Sequence, residues 1–279
     1  MKVNKERVDV LLVEKGLAET REKAKRMIMA GLVYANEVRL EKPGEKVPVD
    51  YELMIKGKVM PYVSRGGLKL EKALKVFDLS VDGKILLDIG SSTGGFTDCA
   101  LQNGAVMSYA LDVGYNQLAW KLRQDERVKV MERTNFRYVT PVDLDGEMPN
   151  FSSIDVSFIS LKLILPVLKT LLVPGGDVVA LVKPQFEAGK DQVGKKGIVR
   201  EPKIHQAVMK KIIDFSLQEG YDVLNASYSP ITGGDGNIEF LLHLHWTGPK
   251  ETGENLLKQT IEDIVTEAHV ELKQQKNEN

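Results

Sequence analysis

Cysteine is almost missing from this chain: Cys99 is the only one in 279 residues. An internal disulfide is therefore excluded, as is a metal site assembled from thiolates. Long apolar runs are missing as well. None approaches the roughly 20 residues that cross a bilayer. Met1-Lys2-Val3-Asn4-Lys5-Glu6-Arg7 leads into a charged amphipathic stretch instead of the apolar core of a signal peptide. The expectation is a cytoplasmic protein with no membrane partner. Internal repeats and long low-complexity segments are also lacking. Net charge is nearly absent at −1, but it is unevenly spread. Residues 1–75 hold 17 Lys+Arg against 11 Asp+Glu, and residues 183–211 hold 8 against 3. Residues 212–279 sum to −8. Two basic regions in a neutral chain suggest a polyanionic partner, against the alternative of ordinary solvated surface.

What is present is an ordinary globular composition, 43% hydrophobic and 28% charged, enough for one large domain and a small one. Residues 1–60 read as a small α+β unit. Helices are expected over Arg7–Lys15, stopped by Gly16, and over Arg21–Ala30, capped by Thr20 and followed by Gly31. Leu32–Ala35, the turn Asn36-Glu37 and Val38–Leu40 predict a hairpin, Lys42-Pro43-Gly44 a turn, and Tyr51–Ile55 one more strand. A linker over about 56–62 leads to a second domain, 63–279. There, short apolar strands alternate with helical patterns: Ile85–Asp88, Val106–Asp112, Val128–Met131, Ile154–Val156 and Val178–Val182, then Asp222–Ser229 and Ile238–His245. Such alternation predicts an α/β fold with a mostly parallel seven-stranded sheet covered on both faces. The short connection Thr232-Gly233-Gly234-Asp235-Gly236 forces the last strand antiparallel to the one before it. This layout resembles the Rossmann-like class I methyltransferases. A closing helix is expected after Gly253.

The sharpest local motif is Asp88-Ile89-Gly90-Ser91-Ser92-Thr93-Gly94-Gly95-Phe96, between a strand and a helix. Glycines let the backbone approach a ligand, and a helix N-terminus offers free N–H donors. Its spacing misses the G-x-G-x-x-G turn that seats a pyrophosphate. The preceding acid suits an ammonium-bearing ligand such as the methionine part of S-adenosylmethionine. Asp112, ending the next strand, can hold two ribose hydroxyls. Asp155 ends the fourth strand, where open sheets bind ligands. No Pro-Pro-aromatic sequence follows it, which argues against amino-nitrogen methylation, and Cys99 lies inside a helix, which argues against pyrimidine carbon methylation.

A hydroxyl acceptor needs a base and groups that hold it in line. Lys183 closes an aliphatic strand abruptly, and Lys69 lies near the start of the helix before the first strand. Glu239 interrupts the apolar run Ile238–Leu242 as either an edge-facing or a paired buried carboxylate. In order and placement, Lys69, Asp155, Lys183 and Glu239 resemble the Lys-Asp-Lys-Glu tetrad of FtsJ-type ribose 2′-O-methyltransferases. The wording Val63-Ser64-Arg65-Gly66-Gly67-Leu68-Lys69-Leu70, with Arg133-Thr134-Asn135, is similar to the hemolysin-A branch of that family. The resemblance implies S-adenosylmethionine as cofactor, Asn135 near its adenine, and cytidine ribose in ribosomal RNA or ribosomal subunits as the target. The first 60 residues resemble the S4-like RNA-binding domain through Arg7-Val8-Asp9, Gly16, Arg21, Ala24, Ile28, Gly31, Val33, Asn36 and Lys42-Pro43-Gly44. Glu37 stands where that domain commonly has glycine. Arg7, Arg21, Lys25, Arg26, Arg39 and Arg65 are the expected RNA contacts. Two other classes compete: a non-catalytic ribosome-assembly factor, disfavoured by the four tetrad matches, and a membrane-lytic protein, disfavoured by the lack of any spanning segment.

Overall fold

The computed structural model describes residues 4–57 and 60–277. The chain forms two compact units that meet in sequence at Pro61 and Tyr62. Lys58 and Val59, within the expected linker, lie outside the described residues.

The first unit contains β1 (Lys5–Arg7), α1 (Val8–Glu14), α2 (Arg21–Met29), β2 (Val33–Ala35), β3 (Val38–Arg39), β4 (Lys46–Pro48) and β5 (Leu53–Ile55). The Thr20 hydroxyl accepts from Lys23 N and opens α2, and Gly31 at φ +70° follows its end. Asn36 and Glu37 turn the β2–β3 hairpin with φ of +46° and +69°. This is the primed geometry that glycine adopts without strain, so Glu37 makes the turn against its preference. Two features differ from the periodicity. Arg7 leaves the first helix to pair in β1 with β4, and β4 had no strand signal because it is a three-residue ladder flanked by turns. Val8, Leu12, Ala24, Ile28 and Val33 are fully enclosed and form this unit's core.

The second unit is built on a sheet of order β11-β12-β10-β9-β6-β7-β8. The elements are α3 (Gly66–Val76), β6 (Ile85–Ile89), α4 (Gly95–Gln102), β7 (Met107–Leu111), α5 (Trp120–Arg123), β8 (Val128–Met131), β9 (Phe151–Ile154), α6 (Leu165–Leu168), β10 (Gly176–Val182), α7 (Pro184–Glu187), α8 (Pro202–Gln218), β11 (Asp222–Tyr228), β12 (Phe240–Trp246) and α9 (Ile261–Asn277). β12 runs antiparallel to both β10 and β11, and the other pairings are parallel. Leu87, Ile89, Val178, Ala180 and Val182 pack into the core on one face, and Leu86, Val179 and Leu181 into that on the other. Burial on both sides explains why these strands read as continuous apolar runs. Each enclosed Leu, Ile or Val contributes roughly 1.5–3 kcal/mol over its exposed state.

Two strand ends shift in a way that matters for the site. β9 stops at Ile154 and β12 begins at Phe240, so Asp155 and Glu239 lie just outside the ladder. Val182 pairs with Phe240, and Ile154 with both Ile89 and Ala180. The C-terminal ends of β6, β9 and β10 and the start of the reversed β12 therefore share one edge, where open sheets bind ligands.

Candidate active site

Four charged side chains converge at that edge. Lys69 comes from the first turn of α3, and its ammonium contacts Glu239 Oε2 at 2.8 Å and Asp155 Oδ2 at 3.2 Å. Lys183 follows β10 and contacts the other oxygen of Asp155 at 2.5 Å, while donating to the Ser157 hydroxyl at 3.1 Å. The result is a linear chain of ion pairs, Glu239–Lys69–Asp155–Lys183. All but Asp155 are more than nine-tenths removed from solvent. Glu239 is thus the buried, paired carboxylate and does not face solvent. Burial lowers the Lys69 pKa, but the carboxylates of Asp155 and Glu239 outweigh it and hold Lys69 above its ordinary value. Burial raises Asp155, and Lys69 with Lys183 outweighs that and holds it below the usual carboxylate range. Lys69 is consequently a locked cation between two acids, whereas Lys183 stands at the open end beside Ser157.

These groups line a cavity of about 450 Å³ together with Arg65, Gly90–Thr93, Gly95, Phe96, Gln185 and the loop Thr232–Asp235. A second hollow of about 500 Å³ continues from it past Gly90, Ser92 and Asp155 to Asp112, Asn135 and Phe136. Gly90 has φ +83°, and a Cβ there would stand 2.5 Å from the backbone oxygen of Asp155. Only glycine lets the loop lie this close to the strand end. A Cβ on Gly95 would stand 2.7 Å from the amide nitrogen of Gly67, so this glycine lets α4 start against the turn that carries Lys69. Gly94 caps α4 in the left-handed conformation and packs toward Leu118 and Leu122, away from the cavity.

Asp112 accepts from Ser92 N at 2.8 Å and from Gly114 N at 2.7 Å, which fixes its carboxylate on the groove wall with acceptor capacity remaining. Asp88 is different. Its carboxylate is fully enclosed and accepts from Thr97 N, Thr97 Oγ1 and Ser153 Oγ, and burial pushes its pKa up to about 6. It braces the glycine loop and the start of α4 from beneath. Asn135 is exposed in the hollow, where its side chain accepts from Arg137 N.

Three nearby residues carry no clear signal in the sequence. Gln185, which lines the cavity, donates weakly to Glu239 at 3.4 Å, while its own Oε1 is buried without a hydrogen-bond partner among the described residues. Phe158 has φ +63°, is 91% exposed, and meets the Phe186 ring at a centroid distance of 4.9 Å. Gln185 and Phe186 could have been found from their adjacency to Lys183. The strained backbone of Phe158 is a tertiary property.

In the first unit, Arg7 and Arg21 direct their guanidinium groups at the enclosed carboxylate of Asp9, Arg7 through two hydrogen bonds. These bonds hold Asp9 well below the usual carboxylate range. Lys25 pairs with Glu22 at 2.7 Å, Arg39 lies 3.9 Å from Glu41, and Arg26 is exposed on α2.

A model of the FtsJ-like methyltransferases matches residues 62–246, two-thirds of the sequence. The chain belongs to that family. A model of the S4 domain matches residues 6–53. Among curated relatives, Bacillus subtilis YqxC, whose name carries a provisional assignment as an rRNA methyltransferase, is 70% identical over 99% of this chain and 98% of its own. The 16S/23S rRNA (cytidine-2′-O)-methyltransferase TlyA of Mycobacterium tuberculosis is 40% identical over 94% of this chain and 96% of its own. A solved structure from Streptococcus thermophilus, described provisionally as a hemolysin, superposes with a TM-score of 0.77 at 57% identity, covering 99% of each chain. Among the described residues of this FtsJ-like protein, no helix is long and apolar enough to cross a membrane.

Proposed function

We propose that this FtsJ-like protein transfers a methyl group from S-adenosylmethionine to the ribose 2′-hydroxyl of cytidine in ribosomal RNA. The observation that carries the reading is the ion-pair chain Glu239–Lys69–Asp155–Lys183 at the mouth of a glycine-lined groove. The name of the Mycobacterium tuberculosis relative supports the substrate, and the S4 match supports RNA as the partner.

The groove fits the cofactor by its donor set. The backbone from Gly90 to Thr93 would hold the methionine part, Asp112 the ribose hydroxyls, and Asn135 with Phe136 the adenine. When bound, S-adenosylmethionine supplies an electrophilic methyl on a sulfonium. The ribose hydroxyl is a poor nucleophile until its proton leaves, and Lys183 Nζ, as the free amine, is the group that receives it, becoming the ammonium that pairs with Asp155. Lys69 keeps its own proton and fixes both Asp155 and Glu239, so that Asp155 orients Lys183 toward the acceptor. Phe158 and Phe186 offer aromatic faces on which an unstacked base can rest.

Asp112→Ala is expected to weaken S-adenosylmethionine binding by about 10–150-fold, the 1.5–3 kcal/mol of charged hydrogen bonds. Titration calorimetry with an affinity equal to wild type would remove Asp112 from the site. In the first unit, Lys25 and Arg26 are the cations to change, since Arg21 also holds Asp9. Lys25→Ala with Arg26→Ala should lower RNA affinity and reduce the log–log salt slope by about 1.4–1.8, leaving cofactor affinity intact. An unaltered slope in filter binding would show that α2 is not the RNA anchor.

A further inference from the structure

The basic segment 183–211 finds a use beyond Lys183. Lys190, Lys195, Lys196 and Arg200 are all exposed, and none makes a side-chain hydrogen bond or ion pair among the described residues. Arg7, Arg21, Lys23, Lys25 and Arg39 of the first unit, by contrast, each have an acidic partner. Unpaired cations repel one another, so a cluster of them is stabilised by an external anion.

The segment is also built to hold its position. Gly197 N donates to Gly194 O at 2.8 Å and Gly194 N to Ile198 O at 3.1 Å, closing a tight turn with Lys195 and Lys196 at its centre. Its base is clamped by Asn237, whose amide accepts from Val199 N at 3.0 Å and donates to Gly197 O at 2.9 Å. Enclosed His205 bonds Val199 O at 3.2 Å from the other side. Asn237 is itself 2% exposed and stands two residues before Glu239. A groove of about 360 Å³ runs between Ile198–Arg200 and the loop Thr232–Gly236. Thr232 and Asp235 line both this groove and the catalytic cavity, so the two are neighbours across that loop. No large apolar side chain is exposed between Lys190 and Arg200. A protein partner would want such an anchor, whereas a phosphate backbone needs only the charges.

We propose that the Lys190–Arg200 loop grips the phosphates of the RNA strand flanking the methylated nucleotide, with the groove beside it receiving that strand where it leaves the cavity. This rests on the proposed RNA methyltransferase activity. The S4 unit then need not align the acceptor alone. The loop adds a second grip on the methyltransferase unit itself, tied through Asn237 to the segment that carries Glu239.

The test uses the full chain with Lys190→Ala, Lys195→Ala and Lys196→Ala combined, and a second variant with the same three lysines changed to Arg. Methyl incorporation into ribosomal RNA and RNA binding are measured between 50 and 200 mM salt. For the Ala variant, KM for RNA should rise at least about tenfold and the salt slope should fall by about two to three, the loss of three phosphate contacts. Its kcat and cofactor affinity should stay within about twofold of wild type, and the Arg variant should behave as wild type. An unchanged KM and slope in the Ala variant, or an Arg variant as weak as the Ala one, overturns the role proposed for the loop. Wild-type protein that incorporates no methyl into any ribosomal RNA or subunit overturns the assigned activity instead, so the two failures are separable.

Discussion

Lys183→Ala is expected to reduce methyl transfer by about 10²–10⁴-fold, the range for removal of a positioned general base. Cofactor affinity should barely change, because Lys183 lines the cavity beside Ser157 and not the hollow of Asp112 and Asn135. The arginine variant separates the possible roles. Guanidinium keeps the charge and can still pair with Asp155, but it does not give up its proton near neutral pH, so Lys183→Arg should be as inactive as the alanine variant. Lys69 does not substitute for it as proton acceptor, since its two carboxylates hold it protonated. A Lys183→Arg protein with substantial turnover would mean that this position supplies only charge, with the proton leaving to water.

Gly90→Ala should have the second large effect, through two additive causes. The left-handed φ of +83° strains any residue with a side chain, and the new methyl would overlap the backbone oxygen of Asp155 at 2.5 Å. Strain and overpacking together should cost roughly 2–5 kcal/mol of stability in the methyltransferase unit. Relief requires Asp155 to move, which carries its carboxylate away from both lysines. Turnover should therefore fall by more than about 10²-fold, as expected for a catalytic group misplaced by about 1 Å. Gly83→Ala is the control, because Gly83 has φ +68° with open space around it and should show the strain alone. Urea midpoints and turnover would be compared, and equal behaviour of the two variants would show that Gly90 does not set the position of Asp155.

The order of elements and the candidate site were legible because both follow local rules. Strands buried on two faces are apolar throughout, a glycine cluster between a strand and a helix marks a ligand loop, and the Thr232–Gly236 connection is too short for anything but an antiparallel turn. Lys183 stood out because a charge terminates an aliphatic run. The strand β4 escaped because three residues between turns carry no periodicity. Phe158 escaped because a left-handed backbone at a phenylalanine is imposed by its surroundings and not by its own preference.

By itself, then, the sequence determined the α/β alternation, the small α+β unit before it and the glycine loop, and it named four candidate residues. Tertiary structure decided how those four share charge. Lys69 and Glu239 are 170 positions apart, and only the reversed β12 beside β10 brings Glu239 to the edge where Asp155 and Lys183 emerge. It likewise decided that Asp88 serves as an internal brace, because three donors enclose its carboxylate, and that Arg7 and Arg21 serve Asp9. Hydrogen-bond geometry between segments distant in sequence fixes which partner a charge takes, and no spacing along the chain encodes that geometry.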